Sequence, residues 1–153
     1  MHQSRPAILV VDDDRSVLSA LRRDLISVYG DRYHVIAVGS SVEGLRTIDR
    51  LEARGQGPAM VIADQRMPGL SGVEFLVLVS IRVPDARRVL FTACAEEDVD
   101  REAHGHADHL AGERLYRYLS KPWQPPEQML YPAVDAVLAE WELRRNDALG
   151  NGG

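Results

Sequence analysis

Four short apolar runs in this chain each lead directly into a charged or hydroxyl side chain. The runs AILVV, AMVIA, VLF and YRYLS precede Asp12 and Asp13, Asp64, Thr92 and Lys121, respectively. Short apolar runs separated by helical patterns are typical of strands buried on both faces of a parallel sheet. Because ligands bind at the carboxyl ends of the strands in such a sheet, the pattern predicts that these five side chains share one crevice.

The order of strands and helices predicts the fold class. Strands are predicted at about 7–11, 34–38, 60–64, 88–92 and 115–120, and helices at about 15–28, 41–54, 72–81 and 96–110 and from about 125 onward. Asp14 is expected to cap the first helix, and Ser40 or Ser41 the second. Pro132 should kink or restart the last helix. Because such alternation requires a parallel sheet with helices on both faces, we predict a doubly wound α/β fold, a five-stranded flavodoxin-like sheet of order 2-1-3-4-5.

Composition and charge disfavour several classes of protein. The formal net charge of -5 over 153 residues argues against a nucleic-acid-binding surface, which needs clustered Lys and Arg. The apolar runs are far shorter than the roughly 20 residues that cross a bilayer. The start MHQSRP also lacks the apolar region of a signal peptide, so a cytoplasmic protein is expected. The single cysteine, Cys94, excludes an internal disulfide, and the nearby Glu96 and Glu97 disfavour a reactive thiolate.

The predicted crevice has the residue types needed for phosphoryl transfer to an aspartate. Two negative charges about 4 Å apart repel by roughly 4 kcal/mol at an effective dielectric constant near 20, so Asp12, Asp13 and Asp64 require cations. Lys121 supplies one positive charge, and Mg²⁺ suits the rest because it takes carboxylates, waters and phosphate oxygens as ligands. Asp64 stands alone on its strand end and is predicted to attack an incoming phosphoryl group. Thr92 and Lys121 would then bind the phosphoryl oxygens.

The stretches ILVVDDD, ADQRMPGLSGVEFL, VLFTA and YRYLSKPW, within about residues 7–141, resemble the response-regulator receiver domain. This chemotaxis-regulator-like domain is the phospho-accepting half of bacterial two-component signalling. The resemblance implies that Asp64 is the phosphorylated aspartate and that Asp12 and Asp13 are the acidic pair that holds Mg²⁺. It also implies that Arg66 gives a main-chain carbonyl to the metal. Residues 1–145 would then be the receiver domain and residues 146–153 a flexible tail.

The same resemblance implies a switch and its partners. Thr92 would be the switch hydroxyl, Tyr118 the switch aromatic residue, and Lys121 the lysine that binds the phosphoryl group. A sensor histidine kinase would donate the phosphoryl group, and an output protein or domain would read the altered surface. We expect no enzyme activity beyond self-phosphorylation and autodephosphorylation, no nucleic-acid or membrane partner, and a homodimer as one arrangement.

The C-terminal stretch KPWQPPEQMLYPAVDAVLAEW closely resembles receivers fused to a thioredoxin-reductase-like flavoprotein domain. After Lys121 there is room for one helix and a tail, but not for a flavin-binding glycine fingerprint or a DNA-binding domain. The chain is therefore expected to be either a stand-alone receiver or the front of a longer protein. A thioredoxin-reductase-like flavoprotein is one candidate for its output.

The polar segment before the last predicted strand is longer than in typical receivers and contains His104, His106 and His109. Three histidines are a candidate zinc or nickel site, but no carboxylate or cysteine spacing completes a known one. A solvated helix is the better interpretation.

Two alternatives to a working receiver remain at this point. The first is a degenerate receiver that acts as a constitutive protein-interaction domain, which Arg66, Cys94 and the long polar segment keep open. The second is a haloacid-dehalogenase-type phosphatase, with Asp12 and Asp14 as its D-x-D pair. That reaction requires another acidic cluster after Lys121, where Asp135 falls within a predicted helix, and it leaves Asp64 without a role.

Overall fold

A computed structural model of the chain describes residues 5–102 and 114–150. Five parallel strands form one sheet of order β2-β1-β3-β4-β5, which confirms the predicted doubly wound α/β fold. The strands are β1 (Ala7–Val11), β2 (His34–Val38), β3 (Pro58–Ala63), β4 (Arg87–Thr92) and β5 (Arg117–Ser120). The helices are α1 (Arg15–Tyr29), α2 (Ser41–Ala53), α3 (Gly72–Arg82), α4 (Glu96–Glu102), α5 (Pro126–Met129) and α6 (Tyr131–Gly150).

The helices cover both faces of the sheet and enclose two apolar cores. On one face α1 and α6 cover the α1–α6 core, whose large buried side chains include Ile8, Leu21, Leu25, Tyr29, Met60 and Ile62. On the other face α2, α3 and α4 cover the α2–α4 core, whose large buried side chains include Leu9, Ile48, Phe75, Leu76 and Leu90. Neighbouring residues of one strand therefore point into different cores, which explains why the strands are apolar without alternation.

Side-chain caps fix where the first three helices begin. The Asp14 carboxylate accepts hydrogen bonds from two main-chain N–H groups of α1, at 3.0 and 3.2 Å, as predicted. The Ser40 hydroxyl accepts from the main chain of Glu43 at 3.1 Å, so Ser40 and not Ser41 caps α2. Ser71 and Glu74 form a reciprocal capping box at the start of α3. Each cap satisfies N–H groups that have no partner within their helix.

Several strand bounds differ from the predictions by one or two residues. β3 begins at Pro58 and ends at Ala63, so Asp64 lies just beyond the strand. β4 begins one residue earlier than predicted, and the pairing of β5 with β4 begins at Arg117 instead of near residue 115. Leu115 and Tyr116 are buried in the α2–α4 core ahead of that pairing. Their apolar character, which extended the predicted strand, reflects this burial.

The C-terminal region differs more from the predictions. α6 begins at Tyr131 with Pro132 in its first turn, where proline is tolerated, so the predicted restart is confirmed. Residues 146–150 were expected in a flexible tail but belong to α6, because no proline or glycine interrupts the helix before Gly150. The tail beyond that residue lies outside the described ranges, and the division into a domain and a tail stays a prediction. The predicted helix at 96–110 is described only as far as Glu102.

A bilayer-spanning helix, with the length and apolar character that this requires, does not occur within residues 5–102 and 114–150.

We predict that Gly72→Ala destabilises the fold at the start of α3. A Cβ atom on Gly72 would lie 2.3 Å from the main-chain oxygen of Asp64 and 2.7 Å from a methyl group of Leu90. Overpacking of this kind lowers the free energy of unfolding by about 1–3 kcal/mol, which urea denaturation will measure. Gly39→Ala is the control, because its Cβ would have no neighbour within 4 Å. Equal losses in the two variants would contradict the prediction.

Candidate functional site

The carboxyl ends of four strands meet at one edge of the sheet. Asp12 follows β1, Asp64 follows β3, Thr92 ends β4 and Lys121 follows β5. The main-chain N–H of Asp64 donates to the carbonyl of Val11 at 3.1 Å, and that of Lys121 donates to the carbonyl of Thr92 at 3.0 Å. These bonds extend strand pairing to the site itself. The site residues are therefore positioned by the sheet, as the sequence pattern predicts.

Three carboxylates and one ammonium group lie in direct proximity at this edge. Asp12, Asp13 and Asp64 each offer an oxygen, and these oxygens lie within 4.8 Å of one another. Asp12 is 2% exposed, Asp13 is exposed, and 12% of the Asp64 side chain is exposed. The Lys121 Nζ atom lies 2.7 Å from Asp12 Oδ2 and 3.5 Å from Asp64 Oδ2. One positive charge thus faces three negative charges, which leaves a net charge of about two negative units for a cation to neutralise.

Hydrogen bonds to the main chain orient two of the carboxylates. Asp12 Oδ1 accepts from the N–H of Asp14 at 2.9 Å, and Asp64 Oδ1 accepts from the N–H of Gln65 at 2.8 Å. The Oδ2 atom of each therefore faces Lys121. The Lys121 Nζ atom also lies 5.5 Å from the ring centroid of Phe91, within the range of a cation–π contact.

Thr92 and Tyr118 are linked through the main chain of Cys94. The Thr92 side chain is buried, and its hydroxyl oxygen accepts from the N–H of Cys94 at 3.2 Å. The Tyr118 hydroxyl donates to the carbonyl of the same Cys94. The half-buried side chains of Cys94 and Tyr118 both pack against the α2–α4 core. The main chain of Cys94 therefore contacts both predicted switch residues, Thr92 and Tyr118.

The loop after Asp64 contains one buried residue that the sequence pattern did not indicate. Gln65 is 2% exposed; its side-chain oxygen accepts from the N–H of Val73 at 2.9 Å, and its carbonyl accepts from the N–H of Gly72 at 3.0 Å. Gln65 thereby joins the Asp64 loop to the start of α3. Its only signal in the sequence is its position beside Asp64. The side chain of Arg66 is exposed, and the use of its carbonyl as a metal ligand stays a prediction.

The carboxylates required by the phosphatase alternative have other partners. Asp14 accepts hydrogen bonds from the Ser16 hydroxyl and from the main chain at the start of α1, and these bonds hold the pKa of Asp14 below its ordinary value. Asp135 accepts from the Tyr29 hydroxyl at 2.7 Å, in the contact between α1 and α6. Neither residue belongs to the carboxylate cluster. Asp14 and the distal acid Asp135 are thus occupied in structural contacts, whereas Asp12, the other member of the D-x-D pair, lies in the cluster with Asp64.

The carboxylate cluster fits a divalent metal ion. It is the one group of three potential ligand side chains, from His, Cys, Asp or Glu, within residues 5–102 and 114–150. An all-oxygen donor set of this kind suits Mg²⁺, which prefers carboxylates and keeps several waters. The candidate ligands His104, His106 and His109 lie outside the described residues.

Comparisons with known proteins show which family this chain resembles. The family model for the response regulator receiver domain matches residues 8–131. The hydrogenase transcriptional regulatory protein HoxA of Cupriavidus necator is 31% identical over 152 residues, 96% of this chain and 28% of HoxA. The response regulator protein FleR of Pseudomonas aeruginosa is 32% identical over 105 residues, 67% of this chain and 20% of FleR. The chain thus spans less than a third of the length of these relatives.

Solved structures show the same similarity. The CheY-like response regulator receiver domain protein of Methanospirillum hungatei superposes with a TM-score of 0.69 and 25% sequence identity. The superposition covers 92% of this chain and 99% of that chain. The similarity therefore extends over most of both chains.

We predict that Mg²⁺ stabilises the protein through the three carboxylates. With a Kd of about 1 mM, about 10 mM MgCl₂ would add roughly 1.4 kcal/mol to the free energy of unfolding, because only the folded state brings the ligands together. Thermal unfolding with and without MgCl₂ measures this gain. Asp13→Asn should lose most of it, whereas Asp31→Asn, at an exposed position in the turn after α1, should keep it. An equal gain in both variants would exclude the cluster as the binding site.

Proposed function

This chain belongs to the response regulator receiver domain family, and we propose that Asp64 is the residue that accepts its phosphoryl group. Receiver domains of this family are phospho-accepting signalling switches of two-component systems. The single observation that supports the assignment best is the cluster of Asp12, Asp13 and Asp64 around the Lys121 ammonium group. The residue roles below rest on that arrangement.

The environments of the carboxylates favour Asp64 as the nucleophile. Asp12 is buried, and both of its oxygens already have close partners, Lys121 Nζ at 2.7 Å and a main-chain N–H at 2.9 Å. Asp13 is exposed, and the structure gives it no comparable orienting bond among the described contacts. Asp64 combines a fixed orientation, through Gln65, with partial exposure and a looser contact of 3.5 Å to Lys121. A nucleophile needs this combination of orientation and access.

Asp12, Asp13 and Asp64 would hold Mg²⁺, with the Arg66 carbonyl as a proposed further ligand. When bound, the ion would supply positive charge beside the transferred phosphoryl oxygens. Lys121 would bind one of those oxygens through its ammonium group. Thr92 would bind another through its hydroxyl.

The transfer itself exchanges one bond to phosphorus for another. An Asp64 carboxylate oxygen attacks phosphorus in line, and the bond from phosphorus to the donor's imidazole nitrogen breaks. The bonding electrons return to that nitrogen, and the product is an acyl phosphate on Asp64. A carboxylate attacks through an oxygen lone pair and has no proton to lose, so the step requires no general base.

The switch would act through the contacts at Cys94. Phosphorylation adds nearly two negative charges and three strong acceptor oxygens. We expect the Thr92 hydroxyl to donate to one of these oxygens, which draws the loop at Cys94 toward the site and changes its contact with Tyr118. A complete shift between two states requires about 5.5 kcal/mol, and two or three hydrogen bonds to charged groups at about 1.5–3 kcal/mol each are sufficient.

Membership of the family indicates the classes of partner and not the individual proteins. Receivers take their phosphoryl group from histidine kinases and regulate an output protein or domain. The relation to HoxA favours an output that acts on transcription over the thioredoxin-reductase-like flavoprotein predicted from residues 121–141. A homodimer, a cytoplasmic location and the restriction to self-phosphorylation and autodephosphorylation all stay predictions.

We predict that acetyl phosphate with Mg²⁺ adds one phosphoryl group to the protein at Asp64. Intact-mass spectrometry should show the adduct in the native chain and none in Asp64→Asn. Asp49→Asn, at an exposed carboxylate of α2, is the matched control and should be modified as in the native chain. An adduct on Asp64→Asn would assign the phosphoryl group to another residue. Absence of both the adduct and beryllofluoride binding in the native chain would favour the degenerate receiver.

We predict that Thr92→Ala separates phosphoryl binding from signalling. Beryllofluoride with Mg²⁺ should still bind at Asp64, but the ring NMR signals of Tyr118 should move much less than in the native chain. The reason is that the variant lacks the hydroxyl that accepts from the N–H of Cys94 and that would bind the phosphoryl group. Thr47→Ala is the control, since that hydroxyl donates to a carbonyl within α2. A native-like shift of Tyr118 in Thr92→Ala would contradict the coupling.

A further inference from the structure

Lys121 follows the least buried strand of the sheet. β1, β3 and β4 are buried along their whole length, whereas no residue of β5 is fully buried. Within the described sheet, β5 pairs with β4 alone, and the pairing ends with the bond from the Lys121 N–H to the Thr92 carbonyl at 3.0 Å. The sheet therefore holds Lys121 on one side only, and other contacts must limit the movement of the chain beyond it.

Trp123, two residues after Lys121, is anchored in the α1–α6 core. It is 5% exposed, although Pro122 and Gln124 on either side of it are exposed. Its indole N–H donates to the carboxylate Oδ2 of Asp24, on α1, at 2.8 Å. Because a buried indole N–H requires an acceptor, the Asp24 carboxylate completes this anchor.

Asp24 holds both ends of the segment that joins Lys121 to α6. Its main-chain carbonyl accepts from the hydroxyl of Tyr131, the first residue of α6, at 2.9 Å, while its carboxylate accepts from Trp123. Its Oδ1 atom lies 3.7 Å from the Nε atom of Arg23, whose side chain is 76% exposed, so that ion pair is weak. Among the described contacts, Trp123 is therefore the main partner of the Asp24 side chain.

The ring of Phe91 connects this anchor to the ammonium group. Phe91, on β4, is 1% exposed, and its ring packs in a T-shaped arrangement with the ring of Trp123, with 5.4 Å between the centroids. The Lys121 Nζ atom lies 5.5 Å from the centroid of the same Phe91 ring. A shift of the indole would therefore move the surface against which the ammonium group lies.

We propose that Asp24 and Trp123 are positioning residues for Lys121. They hold its ammonium group where it can pair with the phosphoryl group on Asp64, so the inference rests on the proposed function and extends it. A lysine side chain is flexible, and its ammonium group is well placed only if the main chain and the surface around it are fixed. A misplacement of about 1 Å at a site of this kind can lower a rate by about a hundredfold.

The test compares the initial rates at which acetyl phosphate, at saturating Mg²⁺, modifies Asp64, measured by intact-mass spectrometry. Asp24→Leu removes the acceptor and Trp123→Phe removes the donor, and each should slow the reaction by about tenfold. Asp24→Asn keeps a side-chain carbonyl oxygen that can accept from the indole N–H, so it should react at close to the native rate.

Two further measurements separate positioning from a general loss of stability. Tyr33→Phe removes another bond to a carboxylate beside the α1–α6 core, because the Tyr33 hydroxyl donates to Glu142 at 2.8 Å. This control should unfold at a lower urea concentration but keep the native rate. In Asp24→Leu and Trp123→Phe, Mg²⁺ affinity should not fall, because the three carboxylates of the cluster remain; a general loosening of the site would weaken it.

Four results would overturn the proposal: native rates in both Asp24→Leu and Trp123→Phe, an equal fall in Tyr33→Phe, a fall matched by weaker Mg²⁺ binding, or no rescue by Asp24→Asn. If circular dichroism shows that Asp24→Leu does not fold, Trp123→Phe carries the test. An unmodified native chain would overturn the role of Asp64 and this inference with it. A native chain modified at Asp64, with variants that react equally fast, would overturn this inference alone.

Discussion

The ion pair between Lys121 and Asp12 links opposite sides of the candidate functional site. It connects the end of β5 to the end of β1 across the intervening strands β3 and β4, with a distance of 2.7 Å between Nζ and Oδ2. The three carboxylates have oxygens within 4.8 Å of one another and repel each other. The Lys121 ammonium group is the positive charge of the chain that offsets this repulsion. The charge balance at Asp13 and Asp64 therefore depends on a residue more than fifty positions away in the sequence from either of them.

The two apolar cores hold the strands in place and so limit the movement of the site at their carboxyl ends. The central strands β1, β3 and β4 are buried on both faces, so their carboxyl ends have little freedom to move. The loop after Asp64 receives the same support from Gln65, which is hydrogen-bonded to the first turn of α3. Gly72 allows α3 to approach the Asp64 carbonyl, because any side chain there would collide with it. Apolar packing and one close backbone approach thus hold a highly charged site in place.

The sequence was sufficient where the determining interactions are local or periodic. The strand order, the Asp14 cap and the grouping of Asp12, Asp64 and Lys121 all follow from apolar periodicity and from residues at strand ends. It was insufficient where a polar side chain is buried by distant elements. Gln65 and Arg87 look like ordinary loop and strand residues in the sequence, and only the packing of other elements around them gives them their environments.

The length of the last helix shows a related limit. The sequence places a restart at Pro132 correctly, since proline acts locally, but it gives no sharp signal for where α6 ends. Helix ends without a proline or a strong cap depend on small differences in local stability. The same holds for the start of β5, where the burial of Leu115 resembles that of a paired strand residue.

Tyr118 links the loop beside the site to the rest of the molecule. Its hydroxyl donates to the carbonyl of Cys94, beside Thr92, and its half-buried side chain packs against the α2–α4 core. Such a link is thermodynamically reciprocal: if phosphorylation changes the contacts of Tyr118, then a partner that fixes Tyr118 in its new contacts favours the phosphorylated state by the same free energy. The tyrosine would therefore carry binding energy in both directions, from the site to a partner and from a partner to the site.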